Sequence, residues 1–153
     1  AVTGKVFASP AASQVHSVAK AADHGGGILL AYLNYAGDML QFGMAGELLK
    51  ADGFDVRSAA VTDDVASAPV EETDKRRGIA GGLAVLKVTS AAAEAGMTLD
   101  QVTAVCQLAN DRTRTCGVAF SGCTLPGADE PLFEVTEGKM AVGLGVHGEP
   151  GIY

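Results

Sequence analysis

The sequence has no tryptophan, and aromatic residues make up 5% of its 153 positions. That poverty argues against an aromatic-rich β sandwich and for tight packing of small side chains in an α/β arrangement. Cations are scarce as well, with 11 Lys and Arg against 18 Asp and Glu and a net charge of −7. So acidic a chain is a poor match for nucleic acid or an anionic membrane. Cysteine occurs three times, at Cys106, Cys116 and Cys123, an odd number with no C-x-x-C spacing. Reduced structural thiols are expected rather than disulfides or zinc ligands. No apolar run approaches the roughly 20 residues that cross a bilayer, and no charged-then-apolar leader precedes a cleavage site, so a cytoplasmic location is expected. There is no G-x-S-x-G, which removes a serine hydrolase even though His24-Gly25-Gly26-Gly27 looks like an esterase oxyanion loop. No P-loop is present either.

What the sequence does have is glycine, 20 residues in all, four of them within Gly143-Leu144-Gly145-Val146-His147-Gly148-Glu149-Pro150-Gly151. Glycine at that density lets a backbone turn sharply and approach a small ligand. The single histidine among them is the one group there that can act as nucleophile, acid or base near neutral pH. Gly143 to Gly148 fits G-x-G-x-x-G, but no helix follows, so the dinucleotide reading is rejected.

The length suits one domain over residues 1–153, able to bury about two thirds of its unfolded surface. Ala1 to Phe7 alternates weakly as a strand, and its abrupt start reads as a segment of something longer. Ser9-Pro10 supplies an N-cap and a first-turn proline for a helix from Pro10 to Ala22. His16 and His24 fall at surface positions. Ile28 to Leu33 is a short apolar run of the kind buried in a parallel sheet. A helix over Met39 to Ala51 and a third strand over Phe54 to Val61 follow. Asp38 lies just beyond a strand's carboxyl end, where open sheets bind ligands, or else it caps the helix; position alone weighs the two equally. Thr62-Asp63-Asp64 reads as a solvated turn rather than a metal site. Val65 to Arg77 is a surface loop or short helix in which Lys75-Arg76-Arg77 pairs with nearby acids or touches a partner. Gly78 to Ala95 reads as a buried helix. Thr98-Leu99-Asp100-Gln101 is a capping box opening a further helix. Thr115 to Cys123 and Lys139 to Val146 read as strands around a loop at Leu125 to Pro131. The fold class is therefore α/β, a mostly parallel sheet flanked by helices, with an extra closing strand carrying the Gly-His-Gly loop.

Six words occur in order along the chain: Val6-Phe7-Ala8-Ser9-Pro10, Asn34-Tyr35-Ala36-Gly37-Asp38, Thr62-Asp63-Asp64-Val65-Ala66, Arg76-Arg77-Gly78-Ile79-Ala80-Gly81, Ala91-Ala92-Ala93-Glu94-Ala95-Gly96 and Gly143 to Gly151. Together they resemble the substrate-binding subunit or domain of the dihydroxyacetone kinases. The form Asn-Tyr-Ala-Gly-Asp is similar to a subgroup associated with erythrulose. The resemblance implies that His147 adds through a ring nitrogen to the ketone of a short ketose, giving a covalent hemiaminal. It implies that Asp38 binds the sugar hydroxyls and helps take a proton from the attacking oxygen. It places Ser9, Asn34 and Gly37, which lie in the matching words, at the substrate. No metal site is expected in this segment. ATP and Mg2+ are expected on a separate all-helical nucleotide-binding domain or subunit, and the assembly as a homodimer. Leu33 stands where the family carries a lysine that touches substrate. The family's upstream loop with a second catalytic histidine is not in this sequence, so the chain reads as the middle of such a protein, inactive by itself. A non-catalytic ketose sensor or coregulator on the same fold is the alternative.

Overall fold

The structure, a computed structural model, describes residues 4–151. Its centre is a pair of parallel strands, β1 (Ile28–Leu33) and β2 (Val56–Val61), registered from Ile28 opposite Val56 to Leu33 opposite Val61. Successive side chains of a strand point to opposite faces, so the unbroken apolar run of β1 serves two layers. Ile28 and Leu30 face a core with Val15 and Ala19 of α1 (Ala12–Ala22) and Ala45 and Leu49 of α2 (Ala36–Ala51). Leu29, Ala31 and Leu33 face the opposite core, built around Val61, Val85 of α3 (Gly81–Glu94) and Cys106 of α4 (Leu99–Arg112). The result is helix pairs on both sides of a small parallel sheet, as the composition indicates.

The capping box forms as read: Gln101 N donates to Thr98 Oγ1 at 3.3 Å and Thr98 N to Gln101 Oε1 at 2.9 Å. Other boundaries move. Helix α1 begins at Ala12, where the N–H of Ala11 is met by Gln14 Oε1 at 3.1 Å, so Ser9 is not the cap. Helix α2 begins three residues earlier than read, at Ala36 rather than Met39, directly off the end of β1. Helix α3 is not buried all round. Gly81, Val85, Thr89 and Ala92 line the inward stripe at helical spacing, whereas Leu83 and Val88 are exposed.

The strands expected over Thr115 to Cys123 and Lys139 to Val146 shrink to β3 (Val118–Ala119) and β4 (Ala141–Val142). These pair antiparallel as a separate ribbon instead of closing the parallel sheet. Gly143 N donates to Gly117 O at 2.7 Å, and Gly143 then takes φ +79, which ends the extended run. The strand expected over Ala1 to Phe7 lies outside the described residues in its first three positions. In the rest the chain turns, and Phe7 adopts φ +52, a left-handed conformation uncommon for a side chain of its size. Between β2 and α3 the acidic stretch forms a short 3-10 helix, Val70–Lys75. Among the described residues no helix is long and apolar enough to cross a membrane.

Candidate functional site

A cavity of about 660 Å3 opens where β1 ends and the Gly-rich loop passes over it. Ser9, Gly37, Asp38 and His147 all line it, with Lys5, Leu33 and Tyr35. Four of the five residues singled out from sequence are thus brought together from three separate stretches. The fifth, Asn34, is placed elsewhere. Its side-chain amide donates to the carbonyls of Asp74 and Arg76, both at 2.8 Å, and its N–H to Val61 O at 3.2 Å. That arrangement pins the loop after β2 to the end of β1. A larger cavity, about 1010 Å3, lies between α1 and β1, but its walls are mostly aliphatic and neither His147 nor Asp38 is on it.

The geometry follows from local rules. Asp38 sits in the first turn of α2, where the N-terminal end of the helix favours an anion. It is half-buried and on the cavity wall, and among the described residues no hydrogen bond engages its carboxylate. Gly37 lies close against Ser9: a Cβ there would stand 2.7 Å from Ser9 Oγ, so a side chain at this position would turn the hydroxyl aside. Leu33 presents an apolar wall in the same cavity.

His147 lies on an exposed turn, its ring 5.4 Å edge-to-face from Phe7 and 4.8 Å from Tyr35. Glu149 grips it twice. Its Oε2 accepts the backbone N–H of His147 at 3.0 Å, and its Oε1 lies 3.1 Å from Nδ1. Burial alone would raise the Glu149 pKa, but hydrogen bonds from its own N–H and from the His147 ring and backbone outweigh it and hold the carboxyl below its ordinary value. Tyr35 is pushed up to about 12 by burial and by the Glu149 carboxylate, against the pull of Arg77, and its hydroxyl has no partner among the described residues.

Asp63 and Asp64 are not a solvated turn, because both are fully buried. Asp63 accepts from the N–H groups of Ile79 and Gly81, each at 2.9 Å, and from the Thr115 hydroxyl. Asp64 accepts from Arg77 Nε at 2.9 Å and from Ala66 N at 3.1 Å. The basic triplet splits accordingly. Lys75 pairs with Glu72 on the surface, Arg76 is buried with Nε donating to Ala68 O at 2.8 Å, and Arg77 serves the site. Glu149, Tyr35 and Arg77 were not read as site residues. The one usable signal was that Glu149 stands two positions after the histidine in a turn too short to point elsewhere. Among the described residues no three His, Cys, Asp or Glu side chains converge to hold a metal ion. The three cysteines are free, Cys106 buried and the others exposed.

Fold and site define a class: an α/β domain carrying an imidazole and an uncommitted carboxylate on one small cavity at the strand ends. The Dak1 domain family model matches residues 1–153, and the chain belongs to that family. It is 60% identical to the L-erythrulose kinase of Pectobacterium atrosepticum over 99% of this chain and 26% of that protein. It is 45% identical to the dihydroxyacetone-binding subunit of a PTS-dependent dihydroxyacetone kinase of Listeria innocua, over 99% of this chain and 45% of the subunit. The dihydroxyacetone kinase of C. freundii superposes with a TM-score of 0.87 at 37% identity, over 97% of this chain and 27% of that one. A dihydroxyacetone kinase operon co-activator superposes with a TM-score of 0.83 at 27% identity, over 99% of this chain and 46% of that one. The chain thus spans about a quarter to a half of the proteins it matches.

Proposed function

We propose that this chain is the ketose-binding part of an ATP-dependent kinase of short-chain sugars such as dihydroxyacetone, glyceraldehyde or erythrulose. The observation that carries the reading is the meeting of His147 and Asp38 on one cavity, together with 60% identity to an erythrulose kinase. A lone pair on the His147 ring adds to the carbonyl carbon, the C=O π pair moves to oxygen, and that oxygen gains a proton while the ring gives one up, leaving a neutral hemiaminal. Glycerol, which has no carbonyl, cannot be held this way. Asp38 accepts hydrogen bonds from the sugar hydroxyls and is placed to draw a proton from the oxygen that is to be phosphorylated. Ser9 and the small Gly37 complete the wall. In this reading the phosphoryl group comes from ATP and Mg2+ held on a separate helical domain or subunit. Apolar side chains left exposed on α2 and α3, among them Leu40, Met44 and Leu83, provide surface for that partner or for a second copy.

The test uses the full-length protein with ketose labelled with 13C at the carbonyl. Adduct formation moves that carbon's NMR signal from the carbonyl to the saturated range, and His147→Ala abolishes the change. An unchanged signal in the wild type sinks the proposal. The likeness to a co-activator favours a second reading, a sensor that binds ketose without turnover. Sugar-dependent ATP consumption by the full-length protein separates the two.

A further inference from the structure

We propose that Glu149, held in place by Arg77, is a positioning residue that fixes which nitrogen of His147 is the nucleophile. The inference rests on the reading of His147 as the covalent anchor. An ionised carboxylate can only accept hydrogen bonds. With Oε1 at 3.1 Å, Nδ1 must therefore carry the ring proton, and the lone pair of the neutral imidazole is confined to Nε2. The second bond, from His147 N to Oε2, ties the same carboxylate to the backbone, so ring and main chain are locked as one unit.

The support behind Glu149 is continuous. Arg77 Nη1 lies 3.7 Å from Glu149 Oε2, its Nη2 donates to Gly143 O at 2.9 Å, and its Nε and Nη2 hold the buried Asp64. One guanidinium thereby fastens both ends of the Gly-rich loop to the end of β2. Gly145 is part of the device, because a Cβ there would overlap both Glu149 Oε2 and Arg77 Nη1. When Nε2 bonds to the ketone carbon, the ring acquires positive charge before it loses the Nδ1 proton. The carboxylate beside Nδ1 stabilises that charge in the way an orienting acid stabilises an imidazolium. The groups facing the ring are Glu149, the Phe7 and Tyr35 rings and, around the cavity, Asp38 and Lys5.

The experiment is 15N NMR of the histidine-labelled full-length protein without sugar, with His147 assigned by comparison with His147→Ala. The Nδ1–H tautomer is expected to predominate in the wild type, and an Nε2–H form there overturns the proposal whatever the Glu149 variants show. Glu149→Gln removes the charge and presents an amide that can donate to Nδ1. It should shift the tautomer toward Nε2–H and weaken ketose adduct formation by about 10- to 100-fold, as loss of an orienting partner does elsewhere. Glu149→Asp keeps the charge and should recover part of the loss. An adduct that forms equally well in Glu149→Gln sinks this inference and leaves the function standing. Absence of any adduct in the wild type sinks the function while the tautomer is still read.

Discussion

The two parallel strands pair side by side in the same sheet and each is followed within a few residues by carboxylate, yet they use it in opposite ways. After β1 the chain enters α2 at once, and Asp38 in its first turn keeps its oxygens for the cavity. After β2 the pair Asp63 and Asp64 is fully buried and consumed by N–H, hydroxyl and guanidinium donors from Ile79, Gly81, Thr115 and Arg77. A carboxylate surrounded by fixed donors is a structural strut, because its hydrogen bonds are already made. One that meets only a helix end and a cavity remains available to a ligand. The difference lies in the supply of donors and not in the residue.

The contrast is broken most severely at Asp63. Asp63→Ala leaves three donors without their acceptor and should cost about 3 kcal/mol or more, read as a lower denaturation midpoint in urea. Asp38→Ala should change the unfolding free energy by less than about 1 kcal/mol, the scale of a first-turn charge, while under the proposed kinase reading ketose turnover by the full-length protein falls about 10²-fold or more. A stable Asp63→Ala, or an Asp38→Ala that turns over normally, would remove the distinction. A smaller effect is expected of pH. The Glu149 carboxyl is lowered in the folded state, so its contribution is present above the unfolded carboxylate value and is lost as pH falls through the folded one. Because its side chain is 36% exposed, solvent screening holds this to within about 1 kcal/mol. Wild type and Glu149→Gln should therefore converge in stability in acid unfolding, once the pH has fallen through the lowered folded value of the carboxyl. The mildest change is Leu33→Lys, which adds a second cation beside Lys5 on the cavity wall; if the proposed kinase reading holds, it should alter the relative KM values of the full-length protein for dihydroxyacetone and erythrulose, and it should leave the unfolding free energy within about 0.5 kcal/mol.

Several elements were legible because their signals are local. The apolar run of β1, the Thr98 and Gln101 capping box and the Gly-rich turn around His147 each depend on residues within a few positions of one another. The family words brought Ser9, Gly37, Asp38 and His147 forward together, and all four line one cavity. Asn34 stood in the same word, but its amide is committed to the carbonyls of Asp74 and Arg76, 40 and 42 residues away. Ser9-Pro10 carries a good capping signal, yet the helix starts later and Ser9 packs against Gly37 instead. The alternation in Thr115 to Cys123 and Lys139 to Val146 overstated the strands, since Gly143 turns to φ +79 directly after β4 and the backbone of Leu144 comes close against Gly117 just before β3.

By itself, then, the amino-acid order determined the layered α/β arrangement and the inventory of reactive groups, because apolar spacing and glycine density act on neighbouring residues. Only tertiary structure decided which acids stay free. Arg77, Ile79, Gly81 and Thr115, which supply most of the donors to Asp63 and Asp64, and the arginine that steadies Glu149, all arrive from segments well separated along the chain. A carboxylate's role is fixed by the protons that reach it, and no local pattern records that.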